Sequence, residues 1–180
     1  MEGKWKVLRP NQDRLKKLAE RLDTLIEKDE RRAHHELEVG NLRERAAVEL
    51  HQICSGFVAS INSLLEKARV ELDPPDFTPG QFRPDEANLF QIHVRGRVVQ
   101  IAFESPRELI STEHFRVPYV LEGAIRCFNQ ALLDREAIEE QLLFFCLERK
   151  RKAWRYFDGR TYHSGLFNQE YLVSLMEQLL

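Results

Sequence analysis

Residues 142–147, LLFFCL, are apolar at every position, so no conformation leaves them a face for water. In a strand, Leu142, Phe144 and Cys146 point one way, and Leu143, Phe145 and Leu147 point the other. A strand with two apolar faces belongs inside a sheet that is covered on both sides. This segment therefore predicts flanking strands and layers above and below. A helix through Leu132, Ile138, Leu142, Phe145 and Arg149 is the competing periodicity; the turn signals that follow favour the strand.

The neighbourhood supports a sheet. Phe90, Ile92 and Val94 alternate with polar residues, Gly96-Arg97 fits a two-residue hairpin turn, and Val99, Ile101 and Phe103 alternate on the return. Ser105-Pro106 breaks that strand. Phe115, Val117, Tyr119 and Leu121 alternate again, with Pro118 arguing for an edge or a bulge. Glu122-Gly123 then reads as a turn, with 124–130 returning. Residues 134–140 read as a charged connection, 153–158 as a further strand, and Asp158-Gly159 as a turn. Near the end, Asn168 is placed to cap a helix, with Phe167 and Leu172 as its hydrophobic staple. Tyr171, Leu172, Leu175, Met176, Leu179 and Leu180 give that helix a wide apolar face.

The first part of the chain has a helical period. Asn11 is placed to cap a helix with Leu15, Leu18, Leu22 and Leu25 at heptad spacing. The seam fails at Asp29 and Arg32. Gly40 suits a helix end, and Asn41 with Glu44 reads as a capping box for a second helix. Ala47, Leu50, Cys54, Phe57, Ile61, Leu64 and Ala68 form its stripe, and Gly56, Ser60 and Ser63 lie beside it, small enough to admit a close neighbour. Asp73-Pro74-Pro75 should end it. The expected architecture is α+β. A coiled-coil-like antiparallel helical hairpin fills 1–73, a proline-rich linker 74–88, and an antiparallel sheet of about six strands with a C-terminal amphipathic helix 89–180.

Charge narrows the function. Lys and Arg number 27 against 29 Asp and Glu, a net of −2, which argues against a general polyanion binder. Cys54, Cys127 and Cys146 show neither a disulfide framework nor a zinc spacing and read as reduced thiols. The opening MEGKWKVLRP lacks an apolar signal core, and no window approaches the roughly 18 apolar residues of a membrane span. A soluble cytoplasmic protein with no membrane contact is expected.

One segment combines chemistry suited to binding. Arg149, Lys150, Arg151, Lys152 and Arg155 would attract phosphates, and Trp154 and Tyr156 could stack on unpaired bases. A charged hairpin loop that keeps a sheet edge soluble is the simpler account. His34 and Glu38 have chelating spacing but no third ligand, so no metal or cofactor is expected. Asp158, His163 and Ser164 carry triad residue types without a nucleophile elbow, and no convergent catalytic set points to an enzyme. The expected function is non-enzymatic interaction, as a homodimer or with a protein partner, through residues 11–72. The alternative is a small-ligand or single-stranded nucleic-acid module using the sheet and the hairpin 149–162.

Overall fold

A computed structural model describes residues 9–106, 117–136, 138–149 and 151–180, with side chains from residue 12 onward. Phe115 and Lys150 lie outside the described residues. The chain divides into two compact units, residues 1–39 and 40–180.

The first correction concerns the helical hairpin. Helix α1 is a single element, Arg9–Asn62. It begins before Asn11 and passes straight through Gly40-Asn41. A capping box needs non-helical backbone at its first residue. Asn41 is helical instead, and its carbonyl accepts from Arg45 Nε at 3.2 Å. Ala46, Ala47 and Leu50 are buried just beyond. Tertiary burial of that turn outweighs the glycine penalty of about 1 kcal/mol. In the first unit, residues 12–38 are exposed throughout. Their helix carries surface i,i+4 pairs, Glu27–Arg31 at 3.4 Å, Arg32–Glu36 at 3.1 Å and His34–Glu38 at 3.2 Å.

The helix also ends earlier than the prolines suggested. The side-chain amide of Asn62 donates to the Val70 carbonyl at 2.8 Å, and its oxygen accepts from the Val70 N–H at 2.8 Å. Asn62 thus imitates a strand neighbour and closes the turn at 63–69. Leu64, expected on the buried stripe, is 82% exposed.

In the second unit, seven strands form one antiparallel sheet in chain order: β1 Glu71–Asp73, β2 Asn88–Val94, β3 Arg97–Glu104, β4 Tyr119–Phe128, β5 Glu139–Leu147, β6 Lys152–Asp158 and β7 His163–Leu166. A short helix α2, Gln130–Asp134, joins β4 to β5, and α3, Gln169–Glu177, closes the chain. The third and fourth expected strands are one. Glu122-Gly123 lies in mid-strand, paired with Glu104 and Phe103. The β2–β3 turn is Arg95-Gly96, one residue earlier than expected. Both have positive φ, 45° and 79°, as a type I′ turn requires.

β5 sits between β4 and β6, as expected, but the expected cover on both faces is incomplete: Leu142 is 38% exposed and, with Phe144, lines a cleft on the face away from the helices. Leu143 and Phe145 pair with Tyr156 and Trp154, on the face that meets α1 and α3. Here Phe90, Phe103, Leu121 and Ile125 are buried with Leu50, Cys54 and Phe57 of α1 and Leu172 and Leu175 of α3. An aromatic chain runs through this layer. Phe77, Phe90, Phe103, Trp154 and Phe145 follow one another at centroid distances of 4.9, 5.1, 5.7 and 5.4 Å. Gly123 makes room for it: a Cβ there would lie 2.2 Å from the Ala102 carbonyl and 2.8 Å from Phe103 Cβ. Gly56 likewise lets α1 approach Gln169, whose Nε2 would lie 2.5 Å from an added Cβ. The cap on α3 is as expected: Asn168 Oδ1 accepts from the Tyr171 N–H at 2.9 Å.

Candidate functional site

Strand pleating takes the basic-aromatic segment apart. Trp154 and Tyr156, two residues apart on β6, both face the helices. Trp154 is 1% exposed, and its indole donates to the Ala46 carbonyl at 2.8 Å. It is a core residue and is not on any surface with the basic loop. Tyr156 stacks on Tyr171, with centroids 3.7 Å apart and planes within 5°. Its ring also lies over Gly165, where an added Cβ would fall 2.8 Å from it. Arg155 points to the other face and pairs with Glu148 at 3.0 Å. Arg149, Arg151 and Lys152 are exposed. Arg151 acts on Glu49 of α1: burial raises the Glu49 carboxyl above its ordinary value, and the Arg151 charge offsets part of that rise. The cations therefore remain together on the loop, while the aromatics expected beside them are engaged elsewhere. Alternation within 153–158 was the signal that separates Trp154 and Tyr156 from Arg155.

The remaining ionisable candidates are similarly committed. The Asp158 carboxylate accepts from the Arg160 N–H at 2.9 Å. That bond is the main cause holding it below the usual carboxylate range. The Arg160 guanidinium pairs with Glu139. Burial pushes the Cys54 and Cys146 thiols up to about 12, and Cys127 likewise with help from Glu139. Among the described residues no group of three or more His, Cys, Asp and Glu side chains is placed to hold a metal. No described helix is long and apolar enough to cross a membrane.

Two features stand out as surfaces that could bind something. The first is a cleft of about 410 Å³ on the sheet face away from the helices, lined by Ala102, Glu104, Glu122, Ala124, Glu140 and Leu142 among others. Small side chains on β3 and β4 make its floor, and Leu142 and Phe144 of β5 make its wall. Glu104 and Glu122 stand directly opposite each other, an arrangement that repels without a cation between them. The Tyr119 hydroxyl hydrogen-bonds Glu122. Burial first, then that bond and charge, push the Tyr119 phenol up to about 12. Glu140 is held by Arg126 at 2.6 Å. The sequence reading missed this cleft because it took Glu122-Gly123 for a turn.

The second is the leucine seam of the first unit. Leu15, Leu18, Leu22, Leu25 and Ile26 are 58%, 53%, 48%, 53% and 52% exposed. They lie on one side of α1, since an α-helix advances about 100° per residue. The chain matches no protein-family model, no curated protein and no solved structure.

Proposed function

We propose that the protein is a non-enzymatic interaction module that works by helix–helix association through the N-terminal part of α1. The observation that carries this reading is the half-exposed seam Leu15–Leu18–Leu22–Leu25, with Ile26 beside it. A helix exposed on every side gains nothing from leucines at heptad spacing unless another helix covers them. The homodimer-or-partner reading of 11–72 thus narrows to its first part, because Ala47, Leu50, Cys54 and Phe57 are already buried within the second unit. Sedimentation velocity over a concentration series tests it, comparing the full chain with Leu18→Glu/Leu22→Glu. Concentration-dependent mass that the variant loses is the expected result. A strict monomer with identical behaviour in both chains would count against association through this seam.

A second reading rests on the cleft. An apolar wall beside the opposed Glu104 and Glu122 suits a small ligand with an apolar body and a cationic head. Benzylamine is a simple probe: a shift of the Leu142 or Ala124 NMR signals is expected. Unchanged spectra up to millimolar probe would remove this reading.

A further inference from the structure

The charges beside the seam are sorted by sign, and the sorting specifies a partner. On a helical wheel the apolar stripe is Leu15, Leu18, Ala19, Leu22, Leu25 and Ile26. On one side of it lie Arg14, Lys17, Arg21 and Lys28, with no acidic residue among them. On the other lie Glu20, Asp23, Glu27 and Glu30, with Lys16 among them and Arg31, paired to Glu27 at 3.4 Å, at the back of the helix. All are exposed.

We infer that the occupant of the seam is a second copy of this chain, docked parallel and in register. This rests on the helix-association reading and says what associates and how. In a parallel pair, the right flank of one helix faces the left flank of its partner, so the basic side of each copy meets the acidic side of the other. In an antiparallel pair, like flanks meet: basic faces basic and acidic faces acidic. The same seam is available to both arrangements, and the flanks favour only the first. The flanks are also matched to each other. A heterologous partner would need the same mirror-ordered charges, which the chain itself already supplies. Asp29 and Arg32 fall at seam positions just beyond Leu25, so the apolar contact spans about two heptads. Short contact length makes the flanking charges a large share of the selectivity, and added salt weakens them.

The test uses the full chain and three charge variants, measured by sedimentation equilibrium, with far-UV circular dichroism to confirm helix content. Arg14→Glu/Arg21→Glu/Lys28→Glu makes both flanks acidic and should weaken self-association at least tenfold. Asp23→Lys/Glu27→Lys/Glu30→Lys makes both basic and should do the same. Combining all six substitutions restores opposite flanks and should restore association. A spin label at His35→Cys supplies the geometry. Parallel copies hold the two labels within roughly 30 Å, whereas antiparallel copies centred on residue 20 separate them by roughly 45 Å at 1.5 Å per residue. Association that ignores the single-flank reversals, or labels at the longer distance, would overturn the parallel inference and leave helix association standing. A wild-type chain that never self-associates would overturn the second copy as occupant.

Discussion

Removing the indole of Trp154 separates a core residue from a surface one. Trp154 is 1% exposed, lies 5.7 Å from Phe103 and 5.4 Å from Phe145 between centroids, and donates to Ala46 of α1. Buried aromatics remove about 150–250 Å² from water, worth roughly 4–6 kcal/mol at about 25 cal/mol per Å². A compact denatured chain already recovers part of that, while the lost hydrogen bond adds about 1 kcal/mol. Trp154→Ala should therefore cost about 4 kcal/mol, in line with large-to-small changes in other cores. That is a large share of the roughly 5–15 kcal/mol by which domains are stable. Trp154→Phe keeps most of the ring contacts, loses the indole N–H, and should cost about 1–2 kcal/mol. The assay is urea denaturation at pH 7, followed by near-UV circular dichroism to report the packed unit and far-UV to report helix. Arg149→Ala/Lys152→Ala serves as the surface control and should stay within about 0.5 kcal/mol of wild type. If Trp154→Ala also stayed within that margin, the indole would not be part of the core. If the control fell as far as Trp154→Ala, the division of this segment into core and loop would be wrong.

Gly123→Ala should destabilise by about 1–3 kcal/mol, because the new methyl meets a backbone carbonyl that cannot step aside; a thermal melt that does not fall would show that β3 and β4 are further apart. Asp158 titrates below the usual carboxylate range in the folded chain, so the unfolded chain binds the proton more readily. Its contribution is present at neutral pH and disappears as pH falls through that lowered value. Asp158→Asn should flatten this part of the acid-denaturation profile, and an unaltered profile would show that the turn does not depend on the carboxylate. The buried Cys54 and Cys146 thiols, each pushed up to about 12, should resist iodoacetamide at pH 7 until urea unfolds the protein; rapid alkylation of these two in the native chain, read by mass, would contradict their burial.

The strand-rich part was legible where side-chain patterning alone decides the outcome. LLFFCL read best as an interior strand over the competing helix, and Asn168 marked the start of the last helix. What remained hidden depends on contacts distant in sequence. Gly40-Asn41 carries a sound local signal for a helix break, but burial of Ala46 and Leu50 holds the backbone helical. Glu122-Gly123 resembles a turn because the dipeptide is turn-prone; its true cause is Phe103 on the neighbouring strand, which needs the space. Asn62 ends α1 through Val70, a partner that no capping rule names. Trp154 was the costliest misplacement. Its basic neighbours suggested a surface, while its strand position, in step with Tyr156, assigned it to the helix side. The charge sorting beside the seam was written in the sequence throughout, but became meaningful only once residues 12–38 proved exposed on all sides.

The plain chain-order sheet also sets how this unit assembles over time. Each strand pairs with the one made just before it, so hairpins can zip as short loops at small entropic cost. Helix α1 is tied locally near its end, by Asn62 to Val70 and by His51 to Pro74, across 8 and 23 positions. Its earlier turns are held at long range, Arg43 to Val120 and Trp154 to Ala46, across 77 and 108 positions. Closing those long loops costs more chain entropy than pairing neighbouring strands. Until β6 is in place, Ala46 lacks the Trp154 indole that bonds it.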